Sequence, residues 1–232
     1  MRSRALWLLG QLPGNARLYI DRALEDRHEE VRIVGLRLAY LLDRDVMETL
    51  AQLVDDPSPR VRAECAVHLR HYDTAQAVTV WAELAAKYPS GDRWYLEALG
   101  IGADGKWDAC LNAYARQSSE QIAKKDILWR SRGRSTPNEL ARIVLRGAAS
   151  EDLPRYLRAF DFQSSETDEA LISIALAPKL SPVISLAAIK RITPDRLATD
   201  ERCQERLVEL LKLSDLDSAT IGLIQRYELA EL

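Results

Sequence analysis

The amino-acid sequence predicts an all-α protein arranged as an α-α superhelix, a solenoid of about six to eight helix pairs. Three observations carry that expectation. Aromatic residues make up only 6% of the 232-residue chain while Leu, Ala and Arg recur throughout, a balance that suits helices better than sheets. Apolar residues fall at three-and-four spacing, and no long stretch alternates with period two. A signature also returns at an offset of thirty. Asp26-x-x-x-x-Val31-Arg32 recurs as Asp56-x-x-x-x-Val61-Arg62, and one period earlier the register falls on Met1-Arg2.

The elements follow in order. ALWLLGQLPG (5–14) begins with an apolar run of five residues, shorter than a signal-peptide core, and no small-residue cleavage site follows it. Pro13-Gly14 therefore reads as a turn that ends a helix. Matching apolar positions then extend the register: Leu9, Ala39 and Leu69; Ile20, Leu50 and Val80; Leu24, Val54 and Leu84. In the second unit Val31, Val34, Leu38, Ala39 and Leu42 form one helix face, Asp43-Arg44-Asp45 turns the chain, and Val46, Leu50, Leu53 and Val54 supply a second stripe. Ser58-Pro59 suits a helix start, Tyr72-Asp73-Thr74 breaks the chain, and 77–88 forms the partner helix. Further helices are expected over 94–99, 107–115, 138–146, 154–160, 167–177, 182–192, 201–213 and 218–230.

Bulk properties exclude several classes. A net charge of −3 gives no global basic field for nucleic acid. Three cysteines, odd in number and widely spaced, argue against a disulfide framework. No apolar run approaches the ~20 residues of a membrane-spanning helix.

An Asp followed six positions later by Arg, with Val just before the Arg, resembles the HEAT repeat. That resemblance implies a structural ladder between successive units made by Asp26, Arg32, Asp56 and Arg62. A unit of thirty residues is shorter than the ~40–47 usual for HEAT repeats, which implies compact turns or a related short variant. A narrower resemblance rests on ALWLLGQLPG (5–14), GDRWYLEALGIGADGKWDAC (91–110) and DILWRSR (126–132), and it covers residues 1–160 best. These segments look like the helical-repeat region of large secreted proteins known as membrane-bound dehydrogenases, in which a sugar-dehydrogenase-like β-propeller precedes the repeats and a c-type haem module follows. The resemblance implies that 1–232 is a single HEAT-like domain excised from a longer protein, and that its setting is periplasmic or extracytoplasmic. The haem attachment motif C-x-x-C-H does not occur in this chain.

GIGADG (100–105) matches the glycine pattern of a dinucleotide loop letter for letter. Such a loop must follow a β-strand and open a helix. The preceding WYLEAL instead continues a helical pattern, and Ser118-Ser119-Glu120 reads as a helix cap rather than as the site of a ribose-binding acid. Gly100, Gly102 and Gly105 are accordingly expected to form the C-cap and turn between paired helices. Cys65, His68 and His71 share one helix but lack a fourth ligand, so no metal is expected.

Trp7 and Trp81 fall among apolar helix positions and read as core, whereas Trp94 and Trp129 adjoin Arg93 and Arg130, a pairing that can build a binding surface or equally an intramolecular lid. Residues 124–158 carry nine bases against four acids, a local balance of +5, and residues 161–232 carry thirteen acids against eight bases, a balance of −5. No nucleophile, zinc-protease or P-loop motif is present. The expected function is a non-catalytic scaffold that needs no cofactor and binds protein or neighbouring domains of its parent chain. Trp94, Trp129, Arg130, Arg132 and Arg134 are the candidate partner-binding residues. The alternative is an enzyme, a HEAT-like DNA glycosylase holding DNA in a basic groove.

Overall fold

In the computed structural model, residues 2–12, 14, 16–42, 46–117, 121–147, 151–163 and 166–213 are described. The regular structure among them is entirely helical. The helices are α1 (Arg2–Gly10), α2 (Ala16–Leu24), α3 (Glu29–Leu41), α4 (Val46–Leu53), α5 (Pro59–His68), α6 (Ala75–Ala86), α7 (Arg93–Gly102), α8 (Trp107–Gln117), α9 (Gln121–Arg130), α10 (Thr136–Leu145), α11 (Leu153–Ala159), α12 (Asp168–Ala175), α13 (Pro182–Ile189), α14 (Pro194–Thr199) and α15 (Glu201–Leu213). Short 3-10 turns extend α5 through Leu69–His71 and α11 through Phe160–Phe162.

Polar side chains set several of these starts by accepting from backbone N–H groups left free in a first turn. The Ser58 hydroxyl accepts from the N–H of Arg60 at 3.2 Å, with Pro59 in the first turn of α5. Thr74 accepts from Ala77 at 3.1 Å to open α6, and Asp92 accepts from Tyr95 at 3.0 Å to open α7. Asp200 does the same for Cys203 at the head of α15.

The chain divides into two compact units, Met1–Ser131 and Arg132–Leu232. In the first unit α1, α3, α5, α7 and α9 each pack against the next of that series, while α4, α6 and α8 do likewise in a second row. Between the rows lies a core that includes Leu36, Val61, Cys65, Leu69, Trp81 and Leu99, all wholly buried. In the second unit α10 packs on α11 and α12, α12 on α13, and α13 and α14 on α15. Leu140, Leu171, Ile189 and Leu207 are buried there.

The structure departs from the expectations in three places. Two helices, α9 and α14, were not expected. Ile127 and Leu128 of α9 are adjacent and both buried, so no spaced apolar stripe marks them, and α14 is a six-residue helix too short for periodicity to show. Gly100 and Gly102 lie inside α7 rather than at its cap; of the GIGADG glycines only Gly105 takes a positive φ, at +76°. The turn at 43–45, the cap at 118–120 and the helix over 218–230 lie outside the described residues, as does Pro13.

Candidate partner-binding face

The two Asp-Arg signatures meet across the α3–α5 packing. Arg32 donates from Nε and Nη2 to the carboxylate of Asp56 at 2.6 and 2.8 Å, and from Nη1 to the Asp26 carbonyl oxygen at 2.8 Å. Each Asp also caps its own turn, Asp26 accepting from the N–H of His28 at 2.9 Å and Asp56 from that of Ser58 at 2.8 Å. Arg62 repeats the backbone half of the pattern, donating to the Asp56 carbonyl oxygen at 2.6 Å. No third Asp follows in register, and the Arg62 guanidinium instead rests over the Tyr95 ring, 5.8 Å from its centroid. The Tyr95 hydroxyl donates to the Leu84 carbonyl oxygen at 2.9 Å, which fixes that ring in place.

Along the same row of helices a groove of about 390 Å³ crosses α3, α5 and α7. Ile33 and Val34 of α3, Ala63 and Val67 of α5 and Ala98 of α7 line it, and Trp94 forms a wall. Trp94 is 81% exposed, the most exposed large apolar side chain among the described residues. Alanines on the floor beside an uncovered indole leave room for a bulky side chain from outside. Ion pairs flank the strip. Arg60 reaches Glu29 and Glu30, and Arg37 donates to Glu64 at 2.7 and 3.1 Å.

The Glu64 carboxyl is held down at about 2 by His68 and by the Arg37 fork, against burial that works to raise it. His68 Nε2 stands 3.5 Å from Glu64, farther than a short hydrogen bond, so we assign the larger share to the shorter Arg37 bonds. A depressed carboxyl contributes stability above its unfolded value near 4.5, and that contribution disappears as pH falls toward about 2. Acid titration of unfolding is therefore expected to lose stability across that window, and Glu64→Gln should flatten the loss. Equal slopes in the two proteins would rule out this origin.

Of the five candidate binding residues, Trp94, Trp129 and Arg130 lie in the first unit and Arg132 and Arg134 in the second. Trp129 is half-buried and packs against the first unit's core. Arg130 donates to Glu97 at 2.7 Å, and its guanidinium occupies the space a Cβ on Gly100 would need. Arg132 lies over the Phe162 ring at 5.3 Å, and Arg134 is exposed. Elsewhere in the basic segment Arg142 pairs with Glu139 on its own helix.

Trp81 is wholly buried, and Trp7 is partly buried against Ile20, Leu38 and Ala39. The residues of the Cys65, His68 and His71 triplet diverge. Cys65 is buried in the core, whereas the two imidazoles pack on Tyr40 at 4.8 and 5.2 Å. Among the described residues no group of three or more His, Cys, Asp or Glu could hold a metal ion.

All three cysteines are buried. Burial pushes the Cys65 thiol up strongly, Cys110 to about 12 and Cys203 to about 11. Since the thiolate is the reactive form, a thiol-specific disulfide reagent is expected to label none of them in the native protein and all of them after denaturation. Rapid native labelling would show that one of these sites opens.

Sequence reasoning did not single out Lys106, Glu97 or Tyr95. Lys106 is buried and its Nζ donates to the Leu69 carbonyl oxygen at 2.9 Å, at the C-terminal end of α5. Glu97 lies one turn beyond Trp94 and could have been matched to the bases near 130 by charge, whereas Tyr95 stands in for an acid in a way no spacing signals. Comparison with protein-family models, with curated proteins and with solved structures finds no match to this chain.

Proposed function

We propose that the chain is a non-catalytic helical-repeat scaffold, a HEAT-like α-α superhelix that docks protein on the groove across α3, α5 and α7. Trp94 carries this reading. A tryptophan 81% exposed beside an apolar floor is the kind of surface that partners use as an anchor. Resemblance of the 91–110 and 126–132 segments to the repeats of membrane-bound dehydrogenases supports a neighbouring domain of a multidomain redox polypeptide as that partner. The DNA glycosylase alternative loses support because Arg130 and Arg142 are already paired with acids.

The test places a photo-crosslinking amino acid at position 30, on the groove rim with Trp94 intact, in the producing cell and maps the adduct. One discrete protein adduct, abolished by filling the floor with Ala98→Leu, is the expected result. Trp94→Ala is expected to weaken binding of that adduct partner at least tenfold, about 1.4 kcal/mol or more, while changing unfolding by no more than ~0.5 kcal/mol. No adduct, or one indifferent to Ala98→Leu, would remove the proposal.

A further inference from the structure

Three register positions behave differently in the first helix pair from the second and third. Ala5, Gly35 and Cys65 share one position; Ala5 is exposed, and its two counterparts are buried. Leu8, Leu38 and His68 share the next. Leu8 is 67% exposed, Leu38 is wholly buried, and the His68 side chain retains 11% exposure. Leu12, Leu42 and Tyr72 share the third, with Leu12 49% exposed and its counterparts half-buried.

Contacts in α3 show what covers this row inside the stack. Gly35 lies so close to α2 that a Cβ there would stand 3.0 Å from the Cβ of Ala23. The Leu38 side chain closes over Gly10 of α1, leaving 2.9 Å for any Cβ at that glycine. The row on α3 is thus buried by the preceding helix pair, through a small residue seated under a leucine. In the first pair the same row carries Ala5 and Leu8 of α1 and Leu12 just past its end, and among the described residues it has no such cover.

We infer that the face formed by Ala5 and Leu8 of α1, with Leu12 just past its end, is a stacking interface that seats one more helix pair of the same thirty-residue repeat. Continuity with the α1–α3 interface identifies the occupant. The surface that fits Leu8 is the one that fits Leu38, a helix offering glycine or alanine beneath the side chain, with a second helix set close behind. Leu18 is also exposed, but its register mate Glu48 is exposed as well, so Leu18 falls outside the seat. In a stack stabilised by nearest neighbours, a bare end face is the place where the next unit adds most. This inference does not rest on the groove at Trp94.

The test duplicates residues 1–30 in tandem ahead of Met1. That keeps the period and brings the copied Gly10 to Leu8 as Gly10 itself stands to Leu38. The duplicated protein is expected to melt several degrees above the 232-residue chain. Leu8→Asn should be nearly silent in the original chain and strongly destabilising in the duplicated one. Gly10→Leu in the added copy should erase the gain by blocking the seat. The inference is overturned if the added residues are digested by protease as fast as unfolded chain, or if Leu8→Asn has the same effect in both proteins. It is overturned too if the original chain is a dimer by light scattering that Leu8→Asn converts to monomer, which would assign the face to a second copy.

Discussion

Asp56→Ala is expected to cost about 3–5 kcal/mol of unfolding free energy, because it removes one partner of a nearly buried ion pair and leaves the other charge in place. The side chains of Asp56 and Arg32 retain only 3% and 11% exposure. Two guanidinium donors lose their acceptors, and so does the N–H of Ser58 at the head of α5. Only the Asp26 carbonyl oxygen would still hold Arg32. Arg17 and Asp21 form the contrasting case, at 3.9 Å with side chains 82% and 58% exposed, where a loss within ~1 kcal/mol is expected. Asp56→Asn should fall between, since it keeps an acceptor for Ser58 but not the charge. Pairing Asp56→Ala with Arg32→Met should cost clearly less than the sum of the two single changes, because no charge is then stranded. Urea denaturation of the four proteins measures this directly. A loss under ~1 kcal/mol for Asp56→Ala would mean that Arg32 finds water once its partner is gone.

The helical character of the chain was legible because a burial pattern of period 3.6 leaves a mark at every turn. The recurrence at thirty also marked Asp26, Arg32, Asp56 and Arg62 as residues that act together, and the bonds that join them bridge one turn to the next. Less legible was anything decided by side chains distant in sequence. Gly100 and Gly102 read as turn residues because glycine commonly ends helices. Their actual constraint is room: the Arg130 guanidinium lies against Gly100, and the Ala66 carbonyl oxygen lies against Gly102 where α5 packs on α7. For Arg130 and Trp129 the sequence left packing and binding open; Arg130 meets Glu97 and Trp129 packs on the core. Charge sign along a sequence says nothing about which bases already have partners. Trp94 and Trp129 carried the same signal, an Arg neighbour, yet Trp94 is 81% exposed while Trp129 is half-buried.

Trp81→Ala is the core change with the largest expected effect, about 3–5 kcal/mol. Its ring is wholly buried, and its Nε1–H donates to the Leu99 carbonyl oxygen at 2.9 Å. It also meets the Trp107 ring edge-on at 5.8 Å, so one side chain of α6 ties together the end of α7 and the start of α8. Those contacts surround GIGADG, and a Cβ on Gly102 would stand 3.3 Å from the Trp81 ring. The segment that imitates a nucleotide loop is thus a packing joint, with small residues where an indole and a neighbouring helix come close. Trp81→Phe separates the terms. The Leu99 oxygen also accepts from the N–H of Ala103 at 3.0 Å, so losing the indole donor does not orphan it, and only ~1–2 kcal/mol should be lost. Trp81→Ala instead opens a cavity between α6, α7 and α8 that wholly buried neighbours such as Leu99 can fill only in part. Equal losses for the Phe and Ala variants would show that the hydrogen bond, not the volume, holds this joint.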